Sequence, residues 1–175
     1  MTELALVVAI ALSGQFDAAD AGIGGRVGWH PGRFVGLEAE LGVYPRDFPR
    51  RQPFSGARVE GLFGMTVGVR SGRLRPFARL RPGFVRVGES PRPFACIRIF
   101  PPPLACELAS GRTLLALDAG AGVEIGLTPG TFLRFDVGDR AVRYPGPVFD
   151  GERVIRQHPF FSHELRLAGS GGVRF

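Results

Sequence analysis

Leu165-Arg166-Leu167-Ala168-Gly169-Ser170-Gly171-Gly172-Val173-Arg174-Phe175 closes the chain. Leu165, Leu167, Val173 and Phe175 share one parity, whereas Arg166, Ser170 and Arg174 share the other. Successive strand residues point to opposite faces. The segment therefore reads as a strand with an apolar face, a charged face rich in small residues, and an aromatic end.

Seven more segments repeat this character upstream. Alternation predicts strands over 3–14, 21–30, 34–44, 57–70, 74–88, 113–127, 131–144 and 162–175. Each runs about 10 to 15 residues, against the five or six usual in soluble sheets. That length suits a strand crossing a bilayer at a tilt.

The first segment shows the pattern most cleanly. Leu4, Leu6, Val8, Ile10 and Leu12 alternate with Ala5, Val7, Ala9, Ala11 and Ser13, large against small. The strictly apolar run from Leu4 to Leu12 is nine residues, far below the ~20 of a membrane helix. Glu3 stands where a targeting peptide carries positive charge. The run is therefore expected to be the first strand of a mature or truncated chain.

The connections alternate in length. His30-Pro31-Gly32-Arg33, Ser71-Gly72-Arg73 and Thr128-Pro129-Gly130 are tight, whereas 15–20, 45–56, 89–112 and 145–161 are longer. A membrane barrel of even strand number has short turns at one end and long loops at the other. A soluble sandwich has no reason to keep that parity.

Composition agrees. The 175 residues form one domain, 1–175, by length. The 26 Gly and 15 Pro disfavour long helices. All 22 basic residues are Arg and the net charge is +6. That charge alone fits nucleic acid, but no RNA-binding, zinc-finger or helix-turn-helix pattern is present. Many arginines fall instead at alternate strand positions, so nucleic acid is not an expected partner.

The decisive assignment is which face points inward. One face carries Val35, Leu37, Leu41, Phe63, Met65, Val67, Leu115, Leu117, Leu133, Phe135 and Val137. The other carries Arg26, Arg58, Arg70, Arg75, Arg79, Arg81, Arg134, Arg140, Arg166 and Arg174 against Glu38, Glu40, Glu60, Asp118, Glu124, Asp136 and Glu164. Many glycines accompany these charges. Eight strands leave an interior that side chains just fill, and small residues beside paired charges fit that lumen. The expected network joins Glu38, Glu40, Glu60, Asp118, Glu124 and Asp136 to Arg26, Arg58, Arg79, Arg81, Arg134 and Arg140. Trp29, Phe34, Phe132 and Phe175 at the short-turn end, with Phe16, Tyr44, Phe84, Tyr144, Phe160 and Phe161 at the other, are expected to form two aromatic girdles.

Asp20-Ala21-Gly22-Ile23-Gly24-Gly25-Arg26-Val27-Gly28 and Gly36-Leu37-Glu38-Ala39-Glu40-Leu41, with the pattern of the whole chain, resemble the small outer-membrane β-barrel family, the OmpA/OmpX-like barrel domain. The resemblance implies a closed, up-and-down, antiparallel, eight-stranded transmembrane β-barrel in the bacterial outer membrane. No cofactor is expected, and with only three His, none near the cysteines, no bound metal; the expected role is non-enzymatic, structural or surface-interacting, carried by the long loops. The resemblance also implies that Val173 and Phe175 serve as a signal to the barrel-assembly machinery, although Ser170 stands where that signal usually has Gly.

Other readings follow from single features. In an envelope protein, Cys96 and Cys106 in one long loop are expected to form a disulfide. Arg46, Arg50 and Arg51, with Arg153 and Arg156, are candidates for lipopolysaccharide phosphates. Arg75, Arg79 and Arg81 on one face of one strand allow a narrow anion-preferring channel. A soluble lipocalin-like binder is the remaining alternative, with the apolar face inward. Ser162, His163 and Glu164 are consecutive, so strand geometry prevents them from forming one catalytic triad.

Overall fold

The computed structural model describes residues 1–13, 18–45, 57–88, 112–144, 148–150, 153–156 and 159–175. Eight strands form the wall: β1 (Thr2–Ser13), β2 (Ala18–Trp29), β3 (Val35–Tyr44), β4 (Arg58–Gly68), β5 (Leu74–Val87), β6 (Arg112–Thr128), β7 (Thr131–Tyr144) and β10 (Phe160–Arg174). Two short strands, β8 (Val148–Asp150) and β9 (Arg153–Arg156), pair only with each other. Each wall strand pairs antiparallel with its neighbours in chain order, and β1 pairs with β10 to close the barrel. The last rung is made by Phe175, whose N–H donates to Thr2 O at 3.0 Å while Thr2 N–H donates back at 2.9 Å.

Following the register once round the barrel gives its stagger. Glu3 faces Gly28, Gly28 faces Glu38, and Glu38 faces Gly64. Across β5 the path continues through Arg81, Asp118, Arg140 and Glu164 and returns to β1 at Ser13. The circuit thus climbs ten residues along β1. A stagger of this kind accompanies strands tilted roughly 35–45° to the axis.

The large apolar side chains face outward. Leu6 is 61% exposed, Leu41 64% and Leu115 65%, whereas Glu60, Arg81, Asp118 and Arg140 are fully buried. This is the arrangement of a barrel whose solvent is lipid. A lipocalin-like binder requires the reverse, and that reading is overturned. The alternation seen in β1 is realised as expected, with Leu4 to Leu12 outside and Ala5 to Ser13 inside.

Three expectations need correction. β2 begins at Ala18, so Asp20 belongs to a strand and the first connection is shorter than the sequence indicated. The fourth long connection contains the β8–β9 hairpin, whose strands of three and four residues are too short to show a period. The aromatic girdles are thinner than expected, because Tyr44, Phe132 and Phe160 are buried within the barrel. Trp29, Phe34, Phe84, Phe161 and Phe175 remain outward and exposed.

At the short-turn end, Ser71 and Leu74 exchange backbone hydrogen bonds of 2.8 and 3.1 Å around Gly72-Arg73. Gly72 has φ 61°. That left-handed conformation matches the twist of a two-residue hairpin and favours glycine.

Candidate functional site

Alternation on eight staggered strands points one charged side chain after another at the barrel axis. Among the described residues, nine arginines (Arg26, Arg58, Arg75, Arg79, Arg81, Arg134, Arg140, Arg166, Arg174) there pair with nine carboxylates (Glu3, Asp20, Glu38, Glu40, Glu60, Asp118, Glu124, Asp136, Glu164). These buried and half-buried described charges are equal in number; Arg70, 48% exposed at the short-turn mouth, adds a tenth cation to Glu124.

The middle layer is the densest. Arg79 Nε donates to Asp118 Oδ1 at 2.8 Å, and Arg81 reaches the same oxygen through Nε at 3.1 Å and Nη2 at 2.9 Å. Arg81 Nη1 also meets Glu38 at 3.1 Å and Glu40 at 2.8 Å. Arg134 holds Glu38 at 2.7 Å from the opposite wall and Asp136 at 3.2 Å, with its guanidinium 3.9 Å from the centre of the Phe77 ring. Arg79 also pairs with Asp136. Arg26 donates to Ser170 Oγ at 2.5 Å and lies 3.7 Å from Glu40.

Towards the long loops, Arg140 bridges Glu60 and Glu164, and Arg166 bridges Glu40 and Glu60. Tyr44 Oη donates to Glu60 at 3.0 Å, with its ring against Gly22, where an added Cβ would come within 2.7 Å. Arg58 pairs with Asp20 at 3.2 Å and Glu164 at 3.4 Å. The gap lined by Gly22, Glu40, Tyr44, Glu60 and Arg166 has no room for a water molecule.

At the short-turn end, Glu124 gathers Arg174 at 2.5 Å, Arg70 at 3.5 Å and Arg75 at 3.9 Å, and Arg174 also holds Glu3 at 2.9 Å. His30 lies beyond the end of β2. Burial, and next the Arg75 charge, lower its pKa from 6.5 to about 4. The ring is therefore neutral near pH 7, and Nε2 accepts a 2.6 Å hydrogen bond from Arg75 Nη1.

All twelve residues read from the sequence as network members point inward, but they do not form the single set expected. Glu124 belongs to the short-turn cluster, and Arg58 to the long-loop mouth, where its partners are Asp20 and Glu164. Glu3 and Asp20 escaped the reading altogether. Parity carried the signal for Glu3, which shares its side with Ala5, Val7 and Ala9. Arg75, Glu164, Arg166 and Arg174 stood on the charged face but outside the proposed network, and Tyr44 and Ser170 join it as neutral partners.

The remaining candidates scatter. Ser162 and Glu164 are buried inside, while His163 points outward and bonds Asp139. Val173 and Phe175 are exposed at the end of the closing strand. Arg153 and Arg156 fall in β9. Cys96, Cys106, Arg46, Arg50 and Arg51 lie outside the described residues.

A closed, staggered, eight-stranded wall with an apolar outside and a charged, packed inside is the transmembrane barrel fold of the small OmpA/OmpX-like outer-membrane proteins. Over 99% of its length the chain is similar in structure to 96% of Neisserial surface protein A (NspA), with a TM-score of 0.66 and 12% identity. It is similar, again over 99% of its length, to 97% of the N-terminal β-barrel domain of Pseudomonas aeruginosa OprF, with a TM-score of 0.58 and 12% identity. No family model and no curated protein matches the chain. At this identity the likeness is one of fold.

Proposed function

We propose that this chain is a non-enzymatic barrel protein of the bacterial outer membrane, whose interior is closed by its own ion pairs and whose rigid wall carries long loops for structural or surface-interaction work. The observation carrying this reading is the balanced interior. Among the described buried and half-buried residues, nine cations and nine anions are ion-paired with one another across a lumen packed with glycine and Tyr44. A path for anions needs unpaired positive charge or water, and Arg79 and Arg81 are both committed to carboxylates. In this reading the closing strand, ending in Val173 and Phe175, is presented to the assembly machinery. The loop arginines meet lipopolysaccharide phosphates, and Cys96 bonds to Cys106.

Planar-bilayer recording tests the reading. The expected result is no steady conductance, with Arg79→Ala no more conductive than the parent. Steady anion-selective current that changes in Arg79→Ala overturns it in favour of a channel. Heat-modifiable mobility on unboiled gels and extraction only by detergent test the membrane location.

A further inference from the structure

The outer face holds a small set of ionisable residues in an otherwise apolar surface. Among the described barrel strands, its outward positions carry Arg86, Asp139, Arg143 and His163 and no other ionisable side chain. Three of the four lie on one ladder, β7 paired with β10. From the long-loop end its outward rungs read Phe161 with Arg143, His163 with Ala141, Leu165 with Asp139, Leu167 with Val137, then Gly169 with Phe135. Ionisable residues are confined to the top of the ladder.

His163 Nδ1 lies 2.6 Å from Asp139 Oδ2 across this ladder. A carboxylate only accepts, so Nδ1 carries the proton and, in the neutral ring, Nε2 is left as an acceptor. Arg143, exposed on the next outward position above, has no ion-pair partner among the described residues. An ionisable pair on a lipid-facing surface is expensive and marks a site. Directly below it lies a groove of about 760 Å³. Its floor is made by Gly169 and Ala121 and its walls by Ile10, Phe135, Val137 and Leu167. The floor is low because Gly169 and Ala121 stand beside the larger Ile10, Phe135, Val137 and Leu167.

We propose that this ladder binds one phosphate-bearing membrane lipid, with an acyl chain in the groove and the headgroup phosphate against Arg143, above the His163–Asp139 pair. The charge and the apolar groove lie in the order, head above chain, that such a lipid presents in the outer leaflet. The inference rests on the membrane reading above. A free anion would use Arg143 and leave the groove empty.

The test uses the folded protein in detergent micelles, with phosphatidylglycerol as the probe lipid. Diacylglycerol of the same chains and free glycerol phosphate are the controls, and bound copies are counted by native mass spectrometry. One phosphatidylglycerol is expected to stay bound under conditions that strip both controls. Arg143→Gln should lower its retention about tenfold, the effect of losing one charge-assisted hydrogen bond. Gly169→Phe fills the groove from an outward position, where an added Cβ meets only the Phe135 ring at 3.7 Å, and should abolish retention with gel mobility unchanged. Equal retention of the two lipids, equal binding of glycerol phosphate, indifference to both variants, or a dimer that buries the ladder overturns the proposal. Parent protein that inserts into vesicles yet retains no lipid selectively sinks only this proposal, whereas failure to insert sinks the membrane reading.

Discussion

Arg81 and Asp118 face each other on adjacent strands, and both Nε and Nη2 of Arg81 reach the same oxygen, Oδ1, of Asp118. Arg79, two residues along the same inward face, adds its own Nε to that oxygen at 2.8 Å. One carboxylate thus bridges two guanidiniums in a layer that is fully buried. Asp118→Ala leaves both short of a partner, and breaking a buried pair costs about 3–5 kcal/mol. Urea unfolding in detergent, followed by gel mobility, should show this loss. Arg73→Ala in the exposed hairpin should stay within about 0.5 kcal/mol of the parent. Equal midpoints for the two variants would mean that water reaches the middle layer.

The ion pairs should weaken from the centre to the mouths. Arg140, Arg58 and Arg70 have side-chain exposures of 0%, 14% and 48%. Arg140→Ala strips Glu60 and Glu164 of a shared partner in a dry layer and should cost several kcal/mol, about 3–5. Arg70→Ala removes a solvated partner of Glu124, which keeps Arg174 and Arg75, and should cost about 0–1 kcal/mol. Arg58→Ala belongs between them. A different ranking in the same unfolding assay would refute a dielectric gradient along the axis.

The wall was legible in the sequence because period two survives wherever one face is apolar, as Leu4 to Leu12 and Val35 to Val43 illustrate. Which cations meet which anions was not. Arg134 and Glu38 lie 96 residues apart and meet because of the barrel's stagger, a property of the closed ladder that no single strand encodes. Glu3 was missed because its charge was weighed against a targeting peptide and its parity was not followed. Asp20 was missed because three residues of β2 were assigned to a loop, where glycine and aspartate are common. Asp139 and His163 broke the alternation as outward polar residues, and only the paired strands place them side by side.

His30 makes stability depend on pH. Its folded pKa, about 4, lies below the ordinary 6.5, because burial and Arg75 oppose the charged ring. Between these values the unfolded chain binds the proton and the folded one does not. This contribution is fully present above pH 6.5 and lost as pH falls towards 4. The displacement corresponds to at most about 3 kcal/mol. Unfolding midpoints at several pH values should therefore fall more steeply in the parent than in His30→Gln, since all other titrating groups are common to both. Parallel curves would show that His30 keeps its proton in the folded state.

Three glycines should respond to alanine for different reasons. At Gly22 a Cβ would sit 2.7 Å from the Tyr44 ring carbons. That ring is 2% exposed and tied to Glu60 by its hydroxyl, so it cannot retreat without loosening the upper cluster. Overpacking of this kind costs about 1–3 kcal/mol. Gly72 has nothing within 4 Å but holds φ at 61°. Its alanine variant should lose about 1–2 kcal/mol through backbone conformation alone. Gly32 also has open space and lies outside the left-handed region, so Gly32→Ala should be neutral within about 0.5 kcal/mol. Adding Tyr44→Phe separates the first two mechanisms. Freed from Glu60, the ring can shift, so the penalty at Gly22 should shrink in the double variant while that at Gly72 stays unchanged. A Gly22 penalty that is indifferent to Tyr44→Phe would mean that the backbone of β2, and not the tethered ring, resists the added methyl group.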